Sequence, residues 1–83
     1  MTIKAGKNLK IIRKNFNKSQ TEIADILGIT LQRYNNYEKG RRKLPVDIGQ
    51  KLANYFDLPL DAIFFTEKLF ELLDSEDKNE QPA

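Results

Sequence analysis

Twelve residues, Ser19-Gln20-Thr21-Glu22-Ile23-Ala24-Asp25-Ile26-Leu27-Gly28-Ile29-Thr30, hold a helix start, a helix stop and a second helix start. No other feature of the chain constrains its fold so tightly. Ser19 with Glu22 three residues on is a capping box, in which each side chain satisfies a backbone N–H that the first helical turn leaves open. Ile23, Ala24 and Leu27 follow at helical spacing and give this segment one apolar face. Gly28 falls just past the last turn, where glycine takes the left-handed conformation at little cost. Thr30 is then a fresh N-cap for a third helix running to about Lys39. A link as short as Gly28-Ile29-Thr30 sets two short helices at a steep angle. Small Ala24 lets the third helix approach the second, and Ile29 plugs the core beneath them.

The same helical period runs through the rest of the chain. Leu9, Ile12 and Phe16 place an apolar stripe on a first helix from about residue 3 to 15. Tyr34 and Tyr37 are the inward positions of the third helix, and Gly40 ends it. A fourth helix from about Val46 to Phe56 buries Val46, Leu52, Ala53 and Phe56, with Gly49 inside it. There glycine costs about 1 kcal/mol relative to alanine, so it marks either close packing or a tolerated defect. A fifth helix spans roughly Leu60 to Phe64, and Thr66 caps a last helical stretch bearing Phe65, Leu69, Leu72 and Leu73 on one side. No strand alternation or internal repeat interrupts this pattern. The expectation is an all-α domain of five helices over residues 1–64, an apolar helical extension over 65–74 and a disordered acidic tail over 75–83.

Charge divides the chain. Residues 1–51 carry twelve Lys/Arg against four acids, and residues 52–83 carry two against eight, within a total of +2 over 83 residues. A basic first two-thirds suits a polyanion partner. Catalysis has little to work with. The chain contains neither cysteine nor histidine, which removes thiol nucleophiles, disulfides and the usual neutral-pH acid–base group. The two serines, Ser19 and Ser75, read as a cap and a tail residue, and no carboxylate pair is placed for acid–base work. No enzyme activity, cofactor or metal is expected. No apolar run is long enough to span a membrane, and the N-terminal lysines lack the apolar segment of a secretory leader, so the expected address is the cytoplasm.

The outward face of the third helix carries Gln32, Asn35, Asn36 and Lys39, with Arg33 on one flank and Leu31 at its N-terminal edge. The loop Gly40-Arg41-Arg42-Lys43-Leu44-Pro45 follows at once. This is the arrangement of a helix-turn-helix whose second helix enters a major groove. Amides complement adenine N6 and N7, arginine complements guanine, and Leu31 suits a thymine methyl. The loop cations suit phosphates, which position a protein on DNA without reading sequence.

At these residues the sequence resembles the phage-repressor-type, Cro-like helix-turn-helix family, often labelled XRE. The resemblance covers about Leu9 to Phe64 and rests on "SQTEIADILGIT", "YNNYEKGRRKLP" and "LANYFDLPLDAIF" in that order. It implies a five-helix domain that binds a two-fold-symmetric operator as a homodimer, its third helix reading bases. It further implies base contacts from Leu31, Gln32 and Asn36, with Arg33 and Asn35 beside them, and phosphate contacts from Ser19 and Gln20 at the start of the second helix. Lys39, Arg41, Arg42 and Lys43 fall at phosphate-contacting positions, and Arg13 and Glu38 at those of a partly buried salt bridge. Three departures stand out. Lys18 occupies a usually apolar position, Gly49 replaces a large aliphatic residue, and Pro45 lies one residue late.

Phe65, Leu69, Phe70, Leu72 and Leu73 are too apolar for a free tail. They either cap the chain's own core or form a seam between two copies, and the seam is the expectation. The function expected is that of a DNA-binding transcriptional regulator, with double-stranded DNA as partner and a regulatory protein as a further one. The alternatives are an antitoxin or locus controller of the same fold, and a protein-interaction adaptor.

Overall fold

The computed structural model describes residues 5–80, with side chains through residue 73. Its elements are α1 (Ala5–Asn15), α2 (Gln20–Leu27), α3 (Leu31–Glu38), α4 (Val46–Phe56), α5 (Leu60–Phe64) and α6 (Thr66–Glu80), with no β-sheet among the described residues. The all-α architecture is as the periodicity predicts.

Local chemistry sets most boundaries. Ser19 Oγ accepts from Glu22 N at 3.1 Å while Glu22 Oε1 accepts from Ser19 N at 2.7 Å, closing the capping box. Gly28 ends α2 at φ 71°, and Thr30 Oγ1 accepts from Arg33 N at 3.1 Å to open α3. Pro45 and Pro59 stand immediately before α4 and α5. Their fixed φ leads into a helix, and each lies where the backbone N–H has no helical partner to lose.

The core draws on every helix. Leu9 and Ile12 of α1, Ile23, Ala24 and Leu27 of α2, and Tyr34 and Tyr37 of α3 meet Leu52, Ala53, Ala62, Ile63 and Leu69. Phe16 stacks on Phe56 with ring centroids 4.3 Å apart, which joins the end of α1 to the end of α4. Gly49 marks close packing, since a Cβ there would lie 2.9 Å from the Phe64 ring. Val46, expected inside, is 64% exposed, because it is the first residue of α4 and lies at the rim of the bundle.

The C-terminal segment differs from its sequence-based description in three ways. Leu69 is fully buried in the core of its own chain, so it is not free to line a seam between copies. Leu72 and Leu73 pack half-buried against that core, and Phe70 alone of the five expected seam residues is exposed. Thr66 is not a cap. It is the first residue of α6, and its Oγ1 donates to Asn8 Oδ1 at 3.0 Å. The helical backbone then continues through residues 75–80, the first six positions of the expected disordered tail. Extending a nucleated helix adds one hydrogen bond per residue fixed, whereas starting one is costly. The remainder of that tail, residues 81–83, lies outside the described residues.

Candidate nucleic-acid interface

α2 and α3 pack across the Gly28 turn so that Tyr34 and Tyr37 are buried and the opposite face of α3 is open. Leu31, Gln32 and Arg33 are exposed at its N-terminal end, with Leu31 46% accessible. Asn35 and Asn36 are half-buried along the same helix. The basic loop is tied directly to this helix, because the backbone N–H groups of Arg41 and Arg42 donate to Asn36 O at 2.9 and 3.3 Å. They satisfy a carbonyl that the helix end would otherwise leave open. Lys39, Arg41, Arg42 and Lys43 remain exposed.

A shallow concavity of about 380 Å³ lies between α3 and the loop, lined by Thr30, Gln32, Arg33, Asn36 and Arg42. It combines two amides, a hydroxyl and two guanidinium groups, with no carboxylate. Such a surface offers hydrogen-bond donors to an anionic, acceptor-rich partner. Arg42, placed by the resemblance among phosphate contacts, thus shares one hollow with Gln32, Arg33 and Asn36. Arg33 is partly committed, because its Nε donates to Tyr37 Oη at 2.9 Å.

Behind the exposed face lies a charged network that ties α3 to α1 and α2. Arg13 donates to Glu38 through Nε (2.9 Å) and Nη2 (3.2 Å), and through Nη1 to Lys18 O (3.1 Å). Tyr34 Oη donates to Glu38 Oε2 at 2.6 Å, and Gln20 Nε2 donates to Glu38 Oε1 at 2.9 Å. The chain continues outward, for Asn35 Nδ2 donates to Gln20 Oε1 at 3.2 Å. Only 5% of the Glu38 side chain is exposed, against 14% for Arg13. Burial alone would raise the Glu38 pKa, but hydrogen bonds from Arg13, Tyr34 and Gln20 outweigh it and hold the carboxyl below its usual range. The hydrogen bond to Glu38 raises the Arg13 pKa against the opposing effect of burial. Burial, then the bond to Glu38, pushes the Tyr34 hydroxyl far up. No buried side-chain polar atom among the described residues lacks a partner.

The sequence-predicted residues therefore fall into four groups, of which Lys39, Arg41 and Lys43 form one, exposed at the end of α3 and in the loop. Gln32, Arg33, Asn36 and Arg42 converge on one hollow, with Leu31 exposed at the start of the same helix. Gln20 and Asn35 bond to each other and, through Glu38, to Arg13. Ser19 is exposed, with its hydroxyl and its N–H both used in the capping box. Sequence reasoning missed two residues that support this geometry. Fully buried Asn8 donates to Ile63 O at 3.1 Å and accepts from Thr66, binding α1 to α5 and α6. Gly6 lets α1 approach the end of α3, where a Cβ would lie 2.6 Å from Glu38 O and 2.7 Å from Tyr37 O. The readable signals were a lone amide beside Leu9 on the apolar stripe and a glycine early in a helix.

An open helix set across a tight turn from a supporting helix, above an ion-paired base, defines a helix-turn-helix domain. Residues 9–63 match the helix-turn-helix family, and the chain belongs to it. Its relatives include proteins named as HTH-type transcriptional regulatory proteins in three archaea. The one from Pyrococcus horikoshii is 40% identical over 55 residues, covering 66% of this chain and 18% of the relative. The one from Pyrococcus furiosus is 34% identical over the same shares of the two chains. The one from Pyrococcus abyssi is 35% identical over 52 residues, covering 63% and 16%. The chain thus spans less than a fifth of the length of these curated relatives. A crystal structure of a transcriptional regulator from Listeria innocua shares the fold, with a TM-score of 0.72 at 20% identity over 98% of this chain and 82% of that one. No helix among the described residues is long and apolar enough to cross a membrane.

Proposed function

We propose that this chain is a non-enzymatic, sequence-specific DNA-binding regulator of transcription. In this reading it is a cytoplasmic repressor that binds an inverted-repeat operator as a homodimer. α3 enters the major groove, with Leu31, Gln32, Arg33, Asn35 and Asn36 at base edges, while Lys39, Arg41 and Lys43 hold phosphates. The observation that carries this reading is the carboxylate-free hollow in which the amides of α3 meet Arg33 and Arg42. The basic share of residues 1–51 supports it through counterion release, which makes phosphate binding steeply dependent on salt.

A second reading, a protein-interaction adaptor or antitoxin, draws on a different surface. A concavity of about 680 Å³ beside the loop is lined largely by apolar groups, among them Leu44, Val46, Leu60, Phe64 and Phe65. Selection from a random duplex library at near-physiological salt separates the readings. An enriched inverted repeat with half-site centres about 10–10.5 base pairs apart is the result expected of a dimeric reader. No enrichment would leave charge-driven binding alone and favour the adaptor.

A further inference from the structure

We propose that Gln20 is a positioning residue for base reading: anchored on Glu38, it fixes which edge of the Asn35 amide faces DNA, and that edge suits adenine. This rests on the DNA-reading proposed above, and it gives Gln20 a task beyond the phosphate contact that the resemblance implies.

The argument is one of hydrogen-bond polarity. Glu38 accepts from Arg13, Tyr34 and Gln20 and, as an ionised carboxylate, has no proton to give. Gln20 must therefore turn its Nε2 toward Glu38, which leaves Oε1 facing α3. A carbonyl oxygen only accepts, so Asn35 must present Nδ2 to it, as it does at 3.2 Å. Rotating the Gln20 amide by half a turn would set its oxygen against the carboxylate, two acceptors face to face. The orientation is thus dictated by the charge at the far end of the relay. That charge cannot swing, because Arg13 grips both Glu38 oxygens and is itself fixed to Lys18 O.

What remains on Asn35 is one N–H and Oδ1. Side by side these complement the N7 acceptor and N6 amino donor of adenine, the bidentate pairing open to an asparagine in the major groove. A side chain ordered before binding loses less rotamer freedom when the complex forms. Gln20 thereby acts on the base through Asn35. The second Nε2–H of Gln20 stays open to a phosphate, so this positioning task does not compete with a backbone contact.

The test compares wild type, Gln20→Met, Asn35→Ala and the double variant by random-duplex selection and by binding at two salt concentrations. Methionine keeps the unbranched shape and removes both polar ends. The expected result is loss of about tenfold discrimination at one base pair, the same one in Gln20→Met and Asn35→Ala. Other positions and the salt dependence stay as in wild type, and the double variant loses no more than either single one. Uniform weakening by Gln20→Met, with the preference at that base pair kept, would leave Gln20 a phosphate contact alone and overturn the proposal. An unchanged sequence profile would overturn it as well. Should wild type enrich no sequence, base reading itself fails and the proposal falls with it. The Asn35 side-chain amide resonances of the free protein keep the two failures apart. They stay distinct and ordered in wild type and average in Gln20→Met if the relay orients Asn35, whether or not DNA is read.

Discussion

Asn8 and Gly6 show how much of this fold depends on single positions that no local rule singles out. Asn8 donates to the Ile63 carbonyl near the end of α5 and accepts from the hydroxyl of Thr66, residues 55 and 58 positions away along the chain. Gly6 owes its importance to the backbone carbonyls of Tyr37 and Glu38. Neither partnership is visible to helical periodicity, which reports faces and not what presses against them. A Gly6→Ala substitution improves local helix propensity, yet its methyl would meet main-chain oxygens that cannot move aside. The expected outcome is a net destabilisation of about 1–3 kcal/mol by chemical denaturation, opposite in sign to the propensity effect. Gly49 is the softer case, since the atoms opposing a Cβ there belong to the far end of the Phe64 side chain.

At the scale of elements, the helices that carry their own punctuation were legible at both ends, and the last one only at its start. Capping box, αL glycine and proline fix α2 through α5 from neighbours only a few residues away. α6 has no such end signal, and its polar composition reads as tail while its backbone simply continues. The open polar face of α3 was legible for a similar reason. Such a face is a set of exposed polar positions on one helix, so the wheel finds it. The wheel cannot show that Gln20 and Asn35 are spent on each other, because that depends on where α2 lies against α3. Holding these helices together through Glu38 has a pH signature. Its folded pKa is depressed, so its stabilising share is complete above the unfolded carboxylate value of about 4.3 and is lost as pH falls through the lower folded value. Stability measured against pH should therefore be flat near neutrality and decline in that acid window. Glu38→Gln should flatten the decline while lowering stability at pH 7, and an acid limb of equal steepness in the variant would contradict the assignment.

The whole molecule divides by charge into a cationic first two-thirds and an acidic C-terminal third. Arg41→Ala should weaken binding to all duplexes alike and reduce the magnitude of the salt slope by about one unit, as measured by titration at several salt concentrations. A loss confined to one sequence would assign Arg41 to a base instead. Self-association is expected to depend on Phe70, which is 42% exposed with Lys7 Nζ 6.0 Å from its ring centroid. Phe70→Glu leaves the buried core untouched, and sedimentation should show the dimer shifted to monomer. Unchanged association would move the seam to another face.

The clasp between Asn8 and the α5–α6 junction also bears on how the molecule is made. α1 leaves the ribosome before α2 to α6, yet its buried amide finds partners only at Ile63 and Thr66, and the core it helps to form is completed by Leu69. Contacts this distant along the chain cannot help a nascent segment that lacks its second half. α2 and α3 thus emerge well before the residues that seal them in place. Throughout that interval the growing polypeptide carries an unclosed apolar stripe on α1, and folding completes only after residues through Leu69 have cleared the exit tunnel.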